Sequence, residues 1–240
     1  MRLYFIRHGQ SVNNSLWDRT GSSQGRSHDP ELTALGRAQA ERLAQFLCQN
    51  DSALKSNERE TQRLNSFDFT HLYCSLMVRA VATGAILADA LKLPLVAWED
   101  LHEEGGIYLT DDQTGQPIGQ PGHNRAYFEA HYPQLVLPDT LGEDGWWNRP
   151  YEEPEQRPIR ARRFWHDLIE RHGSTDDRVA VVSHGGFYNL LLAALLNLPE
   201  KDRIWFVLNN AALTRIDFDA DGTGLIYLNR FDYLPAELIT

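Results

Sequence analysis

Apolar runs bounded by turn residues recur along the chain, and strand-like and helix-like spacings alternate. "RLYFI" (2–6) is apolar at consecutive positions and predicts a buried strand. Residues 31–50 place Leu35, Ala38, Leu43, Phe46 and Leu47 on one helical face, with Thr33 as N-cap. The polar stretch 52–66 predicts a loop or a short exposed helix. A second strand follows at 69–75, a helix at 77–91 and a short strand at 93–98. Residues 158–173 predict a helix ended by Gly173. "RVAVVSHGGFYNLLLAALLNL" (178–198) is an apolar strand, a break at "SHGG", then a helix. Three β-like stretches close the chain, at 204–208, 212–218 and 225–229, the last two joined by a turn from Asp219 to Gly224.

Strands alternating with helices predict a three-layer α/β fold: an open, mostly parallel sheet with helices on both faces. Strands apolar at successive positions fit a sheet buried on both sides. Residues 1–240 read as one domain. Segment 104–157 differs, being dominated by Gly, Pro, Trp and acids. A structureless connector of that length is uncommon, so it reads as an insertion capping the active-site end.

Composition narrows the function. A formal net charge of −10 argues against a nucleic-acid partner, which demands a basic stripe. No Lys/Arg run suits a membrane surface, and no apolar run reaches the roughly 20 residues of a span. The apolar N-terminus is cut short by Arg7 and His8, unlike a signal peptide. Two cysteines, Cys48 and Cys74, make no disulfide framework, which points to a cytoplasmic protein with both thiols reduced and in the core. The apolar late strands offer an edge for a homodimer, and a closed monomer is equally allowed.

The chemistry gathers at strand ends, where open α/β sheets bind ligands. Strand 2–6 runs into Arg7-His8-Gly9, and strand 178–183 into His184-Gly185-Gly186. Arg79 sits on the helix turn after strand 69–75, and "EDLHEE" after strand 93–98 carries Glu103 and Glu104. Arginine's planar fork binds two phosphoryl oxygens at once, and glycine lets backbone N–H groups approach an anion. A neutral His8 can attack phosphorus to give a phosphohistidine. A carboxylic acid then protonates the leaving oxygen and, once charged, activates water. No metal or cofactor is needed, and adjacent arginines would repel a cation.

The motifs "FIRHGQSVNN", "ELTALGRAQA", "CSLMVRAVATGAI", "LHEEGG" and "VAVVSHGGFYN" together resemble the histidine phosphatase superfamily, the group that includes the cofactor-dependent phosphoglycerate mutases. The resemblance spans residues 3 to about 190. It implies His8 as the phosphorylated nucleophile, Arg7, Arg79 and His184 as the phosphate pocket, and Glu103 as proton donor. It also implies substrate contacts from Asn14, Thr20, Gly21 and the Gly185 N–H. Mutases follow the acid with Arg and a Tyr-Gly pair, whereas here "EGGIY" follows Glu103. The missing cation favours a phosphomonoesterase acting on a small phosphorylated metabolite. The rivals are a phosphoglycerate-mutase-type phosphomutase and a non-catalytic module that binds a phosphorylated ligand.

His28, His71, His102, His123, His131, His166 and His172 lack zinc-ligand spacing and read as surface or capping residues. Trp146 and Trp147, near Tyr151, either line the substrate pocket or staple the insertion to the sheet. Tyr108, Arg125 and Arg149 are further candidates to reach substrate. "YEEPE" and "RARR" read as solvated charged faces.

Overall fold

The computed structural model describes residues 1–48, 67–198 and 204–240; the expectation for residues 52–66 lies outside the described residues. In chain order the elements are β1 (Arg2–Arg7), α1 (Val12–Thr20), α2 (Ala34–Leu47), β2 (His71–Cys74), α3 (Val78–Leu91), β3 (Leu95–Ala97), β4 (Tyr108–Thr110), β5 (Pro117–Gly119), α4 (Arg125–His131), β6 (Leu135–Val136), α5 (Gln156–His172), β7 (Arg178–Ser183), α6 (Gly185–Leu195), β8 (Leu213–Asp219) and β9 (Gly222–Arg230).

Among the described residues seven strands form one sheet in the order β6-β3-β2-β7-β1-β8-β9. Neighbours from β6 to β1 are parallel, and β8 and β9 are antiparallel. Alternation along the strands builds two cores. Tyr4, Ile6, Ala180 and Val182 join Leu43 and Leu87 of α2 and α3 on one face. Leu3, Phe5, Val179 and Val181 join Phe164 and Leu191 of α5 and α6 on the other. β1 and β7 therefore spend both faces on apolar packing, as central parallel strands must. Register then decides where chemistry can sit. Arg7 pairs with Ser183, so β1 and β7 end side by side and deliver His8 and His184 to the same edge.

Several elements depart from expectation. α1 was not foreseen: it buries no residue, and its helix is set by a capping box between Ser11 and Asn14. Thr33 does cap α2, but the buried face runs through Gly36, Gln39, Ala40, Leu43, Ala44 and Leu47. Leu35 and Ala38 are only half-buried, because α2 turns Gly36 and Gln39 toward the loop after β1. Residues 204–208 are irregular rather than β, with Ile204, Trp205 and Val207 exposed. They cannot enter the sheet beside β8, whose two neighbours are β1 and β9. The last turn is tighter than expected, since Asp219 pairs directly with Gly222. Gly173 ends α5 in a right-handed conformation. Cys74 is buried, but Cys48, just past the last turn of α2, is exposed. Segment 104–157 contains the β4–β5 hairpin, α4 and β6, and β6 extends the main sheet beside β3.

Candidate active site

The loop that carries His8 is clamped from three sides. A Cβ on Gly9 would collide with the Gly36 carbonyl, and one on Gly36 with the Gln10 backbone, so only this glycine pair lets the loop and α2 touch. The Gly9 N–H donates to Thr83 Oγ1 of α3 (3.1 Å), and the Gln10 N–H donates to Gln39 Oε1 of α2 (2.7 Å). Asn210 Nδ2 donates to the His8 carbonyl (2.9 Å).

His8 itself is buried, and its partners fix its tautomer. Nδ1 lies 2.6 Å from the Gly9 carbonyl, which can only accept; Arg79 Nε, which can only donate, lies 3.1 Å from Nε2. The ring is therefore Nδ1–H with its lone pair on Nε2. Burial, then Arg79 and Arg7, hold its pKa well below the ordinary 6.5, so the lone pair is kept at neutral pH.

Arg79 stands on the first turn of α3. Its Nη1 is 3.7 Å from Asp29 Oδ1, which also accepts from the Val78 N–H (3.1 Å). Arg7 donates to the Leu208 carbonyl through Nη1, and its Nε is buried without a partner among the described residues. The His184 ring centroid lies 5.0 Å from that of His8. Both His184 ring nitrogens are buried and have no partner among the described residues. Burial, then Arg79, lowers its pKa well below 6.5. Unmatched buried polar groups are costly, and three of them here belong to Arg7 and His184.

Glu103 lines the same cavities as Arg7 and Arg79. Its carboxylate accepts from the Gly186 N–H (3.2 Å), the Phe187 N–H (2.9 Å) and the Glu104 N–H (3.0 Å), so it sits on the N-terminus of α6. A Cβ at Gly186 would collide with that carboxylate. Glu104 also lines the larger cavity but is held by Arg157 (2.8 Å), and burial, then Glu103, raises its pKa.

Two adjoining cavities of about 460 and 200 Å³ share Arg7, Arg26, Arg79 and Glu103, while His184 lies behind them and lines neither. His8 and Asn14 line the smaller and Gly185 the larger. Thr20 and Gly21 line neither: Thr20 bonds the Leu16 carbonyl, and Gly21 is the left-handed C-cap of α1. Arg26, His28, Asn189 and Trp205 line the larger cavity and were not read from sequence, because loops without periodicity give no clue to what they face. Tyr108 does reach that cavity. Arg125 instead binds the Leu141 and Pro138 carbonyls, and Arg149 stacks on Trp147, 4.1 Å from its ring centroid.

Other charged and aromatic residues are buried rather than solvated. Trp146 and Trp147 are buried away from the two cavities. Glu152 and Arg160, read as parts of solvated faces, form a buried bidentate pair (2.6 and 2.8 Å) between the inserted segment and α5. His102 and His172 are buried too: His102 packs on Trp147, and His172 bonds Asp177 (2.9 Å) and Tyr73 (3.1 Å).

The sequence pattern that defines the histidine phosphatase superfamily (branch 1) matches residues 3–57 and 50–230. A Hydrogenobacter thermophilus protein provisionally named phosphoserine phosphatase 2 is 26% identical over 237 residues, covering 95% of each chain. A 2,3-bisphosphoglycerate-dependent phosphoglycerate mutase of Latilactobacillus sakei is 27% identical over 211 residues, covering 83% of this chain and 81% of its own. The fold matches that of a phosphoserine phosphatase from Entamoeba histolytica, with a TM-score of 0.59, 20% identity and coverage of 98% and 99%.

Proposed function

Since the chain belongs to the histidine phosphatase superfamily, branch 1, we propose that it is a phosphatase that hydrolyses a small phosphorylated metabolite through a phosphohistidine on His8. The observation that carries this reading is the fixed lone pair of His8 Nε2, flanked by Arg7, Arg79 and His184. In the mechanism, phosphate oxygens take the N–H groups of Arg7, Arg79 and His184, and Arg79 Nε leaves His8 Nε2. That nitrogen attacks phosphorus, the P–O bond to the leaving group breaks, and the leaving oxygen takes the proton of Glu103. The Glu103 carboxylate then takes a proton from water as the water oxygen attacks phosphorus. The P–N bond breaks, returning neutral His8 and free phosphate. Glu103 is assigned over Glu104 because it lines both cavities, whereas Glu104 lines one and is held by Arg157.

Hydrolysis is favoured over isomerisation because Glu104, Gly105 and Gly106 put no cation beside Glu103. Residues 1–240 are assigned as one domain in which segment 104–157 is an inserted cap. The reduced-thiol reading places the protein in the cytoplasm, and the outer edge of β9 is the surface assigned to homodimer pairing.

Rapid-quench mixing with a ³²P-labelled phosphoester, followed by alkaline work-up, is expected to label His8. His8→Ala should lower kcat by at least about 10³-fold, and 3-phosphoglycerate should yield free phosphate rather than an isomer. A His8→Ala protein as active as the parent would end the mechanism.

A further inference from the structure

Away from the edge that carries His8, the amino ends of β2 and β7 meet the last residue of α5. His71 opens β2, His172 closes α5, and Asp177 stands immediately before β7. From there β7 runs on to Ser183 and His184, so this cluster lies at the other end of the strand, about 20 Å away. Asp177 faces both imidazoles: its Oδ2 is 2.9 Å from His172 Nδ1, and its Oδ1 is 3.7 Å from His71 Nδ1. One nitrogen from each ring and one carboxylate oxygen all lie within 4.8 Å of one another. Tetrahedral ligands about 2.1 Å from an ion stand about 3.4 Å apart, and the two carboxylate distances bracket that value. His172 is buried and held by Tyr73 and Asp177, whereas His71, with 40% of its side chain exposed, closes the remaining gap by rotating. Asp177 is partly exposed as well, so an ion reaches the set from solvent.

The groups behind these three complete the arrangement. The Asp177 carboxylate can only accept, so His172 carries its proton on Nδ1, and its Nε2 accepts from the Tyr73 hydroxyl (3.1 Å). An ion taken at Nδ1 shifts that proton to Nε2, which then donates to the Tyr73 oxygen; the ring stays neutral and no proton is lost. Thr70 Oγ1 lies 2.9 Å from His71 Nδ1, and the Arg178 carbonyl at 3.3 Å is a second acceptor for its proton. His71 Nδ1 is thus released without stranding the hydroxyl.

Two imidazoles and one carboxylate select a zinc-type ion over magnesium or calcium, which take oxygen shells. We propose that His71, His172 and Asp177 bind a divalent transition-metal ion of the zinc class, with water in the fourth position. The ion staples the end of α5 to the starts of β2 and β7, and it takes no part in the phosphoryl chemistry. Positions 71, 172 and 177 have no zinc-ligand spacing in the sequence, because the fold brings them together and no motif does.

The test is calorimetric titration of the untagged, chelator-treated full chain with zinc chloride. One site with a Kd of about 10 µM or tighter is expected, and magnesium chloride should give no heat. A hundredfold excess of zinc over Kd should raise Tm by about 5–10 °C. His71→Ala, which alters a half-exposed side chain, should weaken zinc at least about tenfold and remove the rise in Tm. His166→Ala, in the exposed group His166, Asp167 and Glu170 on α5, should bind zinc as the parent does. Ring ¹⁵N NMR should show the His172 proton move from Nδ1 to Nε2 when zinc is added, a readout that needs no variant. A parent that binds no zinc, unchanged binding in His71→Ala, binding lost in His166→Ala instead, or a His172 that keeps its Nδ1 proton in excess zinc would each overturn the proposal.

Discussion

At the scale of single residues, the site depends on keeping two imidazoles uncharged among guanidiniums. His8 has its pKa lowered, so it stays neutral well into acid. At pH 6.0 about three-quarters of free imidazole would be protonated. Ring ¹⁵N NMR at that pH is expected to show His8 neutral, with the proton on Nδ1; an imidazolium signal would contradict the geometry. Asp29 titrates in the opposite sense. Burial pushes its carboxyl from 3.8 up to about 7, against the pull of Arg79 and of the Val78 N–H. An acid raised on folding holds its proton more tightly when folded, so its contribution is largest below pH 3.8 and is lost as pH rises through about 7. Between pH 4 and pH 7 the parent should therefore lose several kcal/mol of stability relative to Asp29→Asn. Denaturant titrations at each pH measure that difference, and parallel curves would refute it.

At the scale of elements, one cap joins a helix to the loop that carries His8. The Thr33 hydroxyl accepts from the Gly36 N–H (3.0 Å) and donates to Gln10 Oε1 (2.9 Å). Thr33→Ala should cost about 1 kcal/mol, lowering Tm by about 2–4 °C, while Thr33→Ser should stay near the parent in a thermal melt. This cap was legible in the sequence, as were β1, β2, β7 and the residues at their ends. Buried strands leave consecutive apolar letters, and Arg7, His8, Arg79 and His184 follow such runs or open the next helix. α1 left no such trace, because it buries nothing and its start is set by Ser11 and Asn14. Residues 204–208 misled for the reverse reason: Trp205, Phe206 and Leu208 line the larger cavity, tied to α6 through Asn189 and Phe206 (2.7 and 3.1 Å). Glu152 and Arg160 read as surface because a buried ion pair looks, letter by letter, like two exposed charges.

At the scale of the whole molecule, residues 238–240 are wired to the loop that carries His8. Gln39 Nε2 donates to the Leu238 carbonyl (2.7 Å) and Thr240 Oγ1 (2.8 Å), while Gln39 Oε1 accepts from Gln10. The Thr240 carbonyl accepts from the Asn210 N–H (3.0 Å), and the Asn210 side chain holds the His8 carbonyl. Deleting residues 239 and 240 should remove the Thr240 partners of Gln39 and Asn210, lowering Tm by about 5–10 °C and slowing phosphohistidine formation in stopped-flow mixing. Unchanged kinetics would show that the clasp is only structural. The opposite terminus is pinned as well, with the Met1 ammonium donating to the Phe218 carbonyl (2.9 Å). An affinity handle fused after Thr240 would thus pull on the loop that carries His8. One spliced into the exposed bend between Asp219 and Gly222 would hang free and leave turnover as it is.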